Sequence, residues 1–192
     1  MALTKYIEYI DPWLAIVAGD MRVGAASAEQ DASYTSILLI ETAPIEASVA
    51  NSGMEITVEI AVSESLWTAA HTFTSPVVTA ASTTLDAQAA AAQKTLEVAL
   101  ASEDVGDRLF IKDGTIGDSE TVLVQAVAAG EYTVAEYLAV THAISTPIYS
   151  GVQQWTYELP MAAKFARVIY NNKDDNCDMA SWTRLLHVPT LT

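Results

Sequence analysis

Apolar and polar residues alternate with a period of two along much of the chain, the pattern of strands with one face in a core. Glu55-Ile-Thr-Val-Glu-Ile-Ala-Val places Ile56, Val58, Ile60 and Val62 on one side and Glu55, Thr57 and Glu59 on the other. Residues 121–127 predict a second strand, buried on more of both sides. Residues 164–170 and 179–187 predict two more, and the Asn/Asp-rich segment between them predicts a hairpin loop, because Asn and Asp tolerate left-handed backbone. Residues 108–112 run into Asp113-Gly114, a strong turn signal. Residues 36–41 and 153–159 are also read as strands. Helical signal is confined to Leu85–Lys94, which is Ala-rich and has Asp86 as a potential cap. At about ten residues with no bulky apolar stripe, it is read as a short surface helix or an ordered linker. Many short strands with turns between them indicate a sandwich or barrel.

Composition sharpens this picture. The chain has 192 residues, enough for one domain or a core domain with a small insert, and 51% are hydrophobic. Nine Lys and Arg face 24 Asp and Glu, a net charge of −15. Such a balance opposes sequence-independent nucleic-acid binding and docking on anionic lipid. The acidity is uneven: residues 147–192 are charge-balanced, and the Ala/Ser/Thr-rich stretch 79–92 marks a change of composition. That stretch is taken as the boundary of an inserted unit at 84–146. Glu8 and Asp11 interrupt the place of a signal-peptide apolar core, and the longest apolar runs fall well short of a membrane span. The expectation is a soluble chain made in a cytoplasm. Cys177, the sole cysteine, excludes an intrachain disulfide and is expected to act as a small apolar residue.

Candidate chemistry is sparse. His71, His142 and His187 share no metal-ligand spacing, and His142 is expected at a strand end or turn packing the insert. Asp174, Asp175, Asn176 and Asp178 offer clustered oxygens of the kind calcium prefers, but lack the Gly and Glu of an EF-hand, so a solvated hairpin tip is the plainer reading. Asp113, Asp118 and Glu120 read as turn residues. No nucleophile elbow or phosphate-binding Gly loop is present. Trp13, Trp67, Trp155 and Trp182, with eight Tyr, offer faces on which a sugar ring would stack, against a default of core or interface packing. Arg167, between Phe165 and Ile169 on one strand face, is expected either to pair with an acid or to project at a subunit contact.

Thr95-Leu-Glu-Val98, Val105-Gly-Asp-Arg-Leu-Phe-Ile111, Ser119-Glu-Thr-Val-Leu-Val124, Tyr132-Thr-Val134, Leu138 and Thr141-His142 follow one another in a recognisable order. This series resembles the small β-barrel unit that recurs in tailed-bacteriophage virion proteins. Phe165-Ala-Arg-Val-Ile-Tyr-Asn-Asn172 similarly resembles a hairpin of virion β-sandwich proteins. The resemblance covers about half of the chain and implies a head decoration (cement) protein, a head-fibre base, or a tail or baseplate accessory. A protein of that kind requires surfaces that seat on a lattice. Tyr6, Tyr9, Trp13, Leu14 and Ile16, on an N-terminal arm, are the candidate anchors, since aromatic residues carry interface energy efficiently.

The expected architecture is therefore mainly β with little helix. Residues 1–83 give an arm and the first part of a β-sandwich, 84–146 an inserted small β-barrel, and 147–192 the rest of the sandwich. The expected role is non-enzymatic: a capsid decoration protein, located on the virion, that clamps major capsid subunits and forms a dimer or trimer. No cofactor, metal, nucleic acid or membrane is expected to take part. The alternative is a fibre, tail or baseplate domain that binds host-surface glycans. On the arm reading, removing residues 1–20 is expected to leave the sandwich folded.

Overall fold

The computed structural model describes residues 5–45, 50–51, 53–75, 78–79, 81–174 and 177–190. Among these residues sixteen strands follow in chain order: β1 (Tyr6–Ile16), β2 (Met21–Val23), β3 (Tyr34–Pro44), β4 (Ala50–Asn51), β5 (Met54–Ala61), β6 (Trp67–Thr74), β7 (Val78–Thr79), β8 (Ser82–Thr84), β9 (Thr95–Glu97), β10 (Arg108–Ile111), β11 (Glu120–Ala128), β12 (Glu131–Val134), β13 (Pro147–Tyr149), β14 (Gln153–Glu158), β15 (Phe165–Asn172) and β16 (Met179–Pro189). One turn of 3-10 helix, Ile116–Asp118, is the only helical element among the described residues. The protein is mainly β, as the alternation predicts.

Two four-stranded antiparallel sheets form the sandwich, in the orders β1-β16-β3-β14 and β2-β15-β5-β6. Period-two burial supplies the core between them. Leu38 and Ile40 of β3 and Leu185 of β16 meet Ile56 and Val58 of β5 and Val168 and Tyr170 of β15. The Cys177 thiol is buried in this core. On β5 the burial departs from simple alternation. A bulge opposite Val58 and Glu59 shifts the register, Ala61 is buried, and Val62 lies beyond the strand, exposed to solvent.

Strands β15 and β16 are not a hairpin. β15 pairs with β2 and β5, whereas β16 pairs with β1 and β3. The Asn/Asp-rich segment therefore carries the chain from one sheet to the other, and the two strands face each other across the core, where the Tyr170 and Thr183 hydroxyls hydrogen-bond. Alternation shows that each strand has an apolar face, but two such strands can share a sheet or oppose each other with the same pattern.

Residues 82–149 build a six-stranded sheet in the order β8-β13-β10-β11-β12-β9. It curls until its two edges meet. Leu85 bridges Val98 just beyond β8 and β9, and the Ala99 amide donates to the Thr84 carbonyl at 3.0 Å. Leu96, Leu109, Ile111, Val122, Val124 and Tyr132 fill the interior. Residues 85–94 are not helical. Leu85 and Ala89 are buried and form bridges to Val98 and His142, so tertiary pairing overrides a short stretch of good helix formers.

Residues 6–16, expected as an arm, form an edge strand paired along β16, with two irregularities between Tyr9 and Leu14. A third apolar cluster joins the sandwich to the curled sheet. Trp13, Ala43 and Ala180 lie on the outer side of the first sheet and pack on Phe110, with Tyr149 and Trp182 alongside.

Candidate interaction surface

The first sheet has an outer face as well as a core face. Because side chains alternate, residues next to the buried Leu38, Ile40 and Leu185 point away from the core. The register places Ile7, Leu186 and Ile37 in one cross-strand row, and Tyr9, Arg184 and Leu39 in the next. A solvated sandwich face normally carries polar residues. Here Ile7 is 42% exposed and Tyr9 68% exposed, while Ile37, Leu39 and Leu186 are half-buried. The curled sheet covers only the end of this face at Trp13, Ala43 and Ala180.

Where the covered and open parts of the face meet, a cleft of about 480 Å³ is lined by Tyr9, Trp182, Arg184, Arg108 and Thr121, among others. The Arg184 guanidinium lies over the Trp182 ring at 4.2 Å, and Trp13 stacks against Trp182 at 5.9 Å. Glu41, on β3, forms the floor of the junction and is almost fully buried. It accepts from Thr121 Oγ1 and Gln154 Nε2, both at 2.8 Å, and pairs with Arg108 at 3.3 Å. A buried carboxylate is tolerated where charge and donors surround it, and this one ties the sandwich to the curled sheet.

The five anchor residues divide. Tyr6 and Tyr9 are exposed, Leu14 is half-buried, and Trp13 and Ile16 are buried within the protomer. Tyr6 stacks on His187 at 4.2 Å and meets Tyr34 edge-on. Burial, with Tyr34 and Glu8 nearby, pushes its phenol pKa up. Trp13 and Ile16 serve the fold because the irregular pairing of β1 turns Trp13 towards Phe110 and Ile16 into the sandwich core.

Sequence reasoning missed a polar cluster inside the curled sheet. His142 is fully buried. Its Nδ1 lies 3.0 Å from Asp113 Oδ2 and its Nε2 2.8 Å from Glu120 Oε1. Glu120 also accepts from the Ala139 amide at 3.0 Å. Burial alone pushes the imidazole pKa down, but hydrogen bonds and charge from Glu120 and Asp113 outweigh it, so the net shift is upward. The three residues lie too far apart in sequence for spacing to reveal them.

Ser36, His187 and Glu8 form another row: Ser36 Oγ lies 3.0 Å from His187 Nδ1, and His187 Nε2 lies 3.2 Å from Glu8 Oε2. These are the residue types of a hydrolytic triad, but the Ser36 hydroxyl donates to Gln30 Oε1 at 2.8 Å. Its hydrogen is thus directed away from the imidazole that would have to take it. The row instead links the ends of β1, β3 and β16.

The remaining candidates fall in structural roles. Arg167 pairs with Glu59 at 2.7 Å and lies over Trp67 at 4.2 Å. Trp155 packs against the sandwich core. In the Asp-rich segment, residues 175 and 176 lie outside the described residues, and Asp178 Oδ1 accepts from the Ala18 amide at 2.9 Å. Among the described residues no group of three or more His, Cys, Asp or Glu is placed to hold a metal. Among the same residues no helix is long and apolar enough to cross a membrane.

No family model matches the chain, and no curated protein sequence matches it. Among solved structures it is similar to VP17, a capsid protein of bacteriophage P23-77, at 10% identity over 97% of this chain and 98% of that one, with a TM-score of 0.18. It is also similar to the infectious bursal disease virus Gx strain structure, at 12% identity, and to the VP2 subviral particle of infectious bursal disease virus, at 11%. Both alignments cover 97% of this chain, spanning 41% and 42% of those chains, with TM-scores of 0.24. Scores this low do not define a shared fold, and neither likeness bears on the function.

Proposed function

We propose that this chain is a structural component of a tailed-bacteriophage virion: an accessory protein on the outside of the head that clamps major capsid subunits, acting as a dimer or trimer. The observation that carries the reading is the apolar outer face of the first sheet, where Ile7, Tyr9, Ile37, Leu39 and Leu186 remain on the side away from the core. The motif series in residues 95–142 agrees with it. Contacts of standard size bury on the order of 1,600 Å² in all, and a face of this kind supplies apolar area without any covalent chemistry. The acidic remainder of the surface keeps the protein hydrated.

The direct test mixes purified protein with phage heads stripped of accessory proteins and follows co-sedimentation. Saturable binding is expected, lost in Leu186→Asp and Ile37→Asp while the melting temperature holds. Failure of the wild type to bind heads, or undiminished binding by both variants, contradicts the proposal. So does hydrolysis of generic esters that disappears in Ser36→Ala.

A further inference from the structure

The outer face of the first sheet contains a cation with no counter-ion. Three of the four arginines are ion-paired: Arg22 with Asp11 at 3.0 Å, Arg108 with Glu41 at 3.3 Å and Arg167 with Glu59 at 2.7 Å. Arg184 has no acid partner among the described residues, in a chain of net charge −15. Its Nε is shielded from solvent and has no hydrogen-bond partner. Its cross-strand neighbours are Tyr9 on one side and Leu39 on the other. Two acids share this face of the sheet: Glu41, already held by Arg108, Thr121 and Gln154, and Glu158, across from Ile37 on β14; neither forms an ion pair with Arg184.

The acids near the cleft are already engaged. Glu120 is held by His142 and the Ala139 amide. Glu136 accepts from the Leu123 amide at 3.2 Å and lies 4.0 Å from Arg108. Stacking on Trp182 fixes the plane of the Arg184 guanidinium. A planar guanidinium matches a carboxylate through two parallel hydrogen bonds. Its nearest neighbours on the open side are apolar, Ile37, Leu39, Leu186 and the Tyr9 ring, with Thr156 and Glu158 of β14 exposed beyond Leu39 and Ile37.

We propose that the Arg184 cleft receives a single carboxylate carried on an apolar protein segment, an Asp or Glu side chain flanked by aliphatic residues. The carboxylate pairs with Arg184 and the aliphatic neighbours cover the two apolar rows. A polyanion is disfavoured because the chain's own charge repels it. A second copy docked by the same face brings like charges together, including Arg184 near its symmetry mate. The proposal rests on the virion reading only for the identity of the partner; the site chemistry stands apart from it.

The test titrates the full chain, with Arg and Trp side chains labelled with nitrogen-15, using the capped tripeptide acetyl-Leu-Glu-Leu-amide and its Gln counterpart. The Glu peptide is expected to shift the Arg184 Nε–H and Trp182 Nε1–H resonances saturably, about tenfold more tightly than the Gln peptide. Arg184→Gln should erase that difference and keep the wild-type melting temperature. Equal affinity for both peptides, discrimination that survives Arg184→Gln, or shifts centred away from Arg184 and Trp182 overturns the site. Self-association that depends on Arg184, seen by sedimentation, overturns the partner in favour of a second copy. A chain that passes the peptide test but ignores phage heads refutes the virion reading and leaves the site intact.

Discussion

Between Asp113 and Glu120, the His142 ring has a carboxylate oxygen within hydrogen-bond distance of each nitrogen, so the cationic form is the better-satisfied one. Its pKa is raised on folding from an ordinary 6.5. The extra stability is therefore complete below the unfolded-state value and is lost as pH rises through the higher folded-state value. Denaturant unfolding of wild type and His142→Gln, compared from about pH 5 to about pH 8, should show the wild-type advantage shrinking as pH rises; a pH-independent gap would show that packing, not charge, is what the ring supplies. A second residue-scale case is Gly24, which the sequence did not single out. A Cβ there would sit 2.2 Å from Asp11 Oδ2 and 2.9 Å from the Val168 carbonyl, and Asp11 is held by Arg22 and the Ala25 amide at 3.0 and 3.1 Å. Gly24→Ala is expected to cost about 1–3 kcal/mol by overpacking, read as a lower denaturation midpoint. Neither site was legible in the sequence, because each depends on partners brought together from distant segments, whereas the place of Cys177 as a small residue packed in an apolar core was.

Strands were legible wherever one face meets the core, since period-two alternation directly records that contact; β3, β5, β10, β11, β14, β15 and β16 all overlap the strands it predicts. Pairing was not. The β15 and β16 patterns suit a hairpin as well as two opposed sheets, and only the partners β2, β5, β1 and β3 decide between them. The element most changed by the structure is β1. Its aromatic residues suggested a detachable arm, but Pro12 and the two register shifts beside it turn Trp13 against Phe110 and Trp182 while Tyr9 stays outside. The two sides of β1 should then respond differently. Trp13→Ala is expected to cost about 3–5 kcal/mol and Tyr9→Ser about 0.5 kcal/mol or less in chemical denaturation. Deletion of residues 1–20 should leave an unfolded or aggregating product, because it removes Ile10 and Ile16 from the sandwich core and exposes the edge of β16. A deletion product with the wild-type unfolding transition would restore the arm.

At the scale of the whole molecule, the chain leaves the sandwich after β6, builds the curled sheet, and returns at β14. Its entry and exit strands lie side by side: Thr84 pairs with Pro147 and Ser82 with Tyr149. A composition shift placed the insert at 84–146, but composition carries no information on which residues hydrogen-bond, and β8 and β13 fall almost wholly outside those limits. Both strands are structural. β13 joins β8 to β10, and the closing bridge Leu85–Val98 sits one residue past β8. The interior formed by Leu96, Leu109, Ile111, Val122, Val124 and Tyr132 is complete within this stretch; what crosses to the sandwich is the Phe110 cluster and the Glu41 contacts to Arg108 and Thr121. A fragment of residues 81–150 therefore keeps every strand of the curled sheet and its interior, at the cost of exposing Phe110 and leaving Arg108 without Glu41. It is expected to unfold cooperatively and to retain slow amide exchange on β10 and β11, whereas a fragment of residues 84–146 loses both β13 and most of β8 and is expected to be unfolded at the same temperature. Equal protection in the two fragments would mean that the edges contribute nothing, and absence of cooperative unfolding in the longer one would mean that the curled sheet depends on the sandwich for its stability.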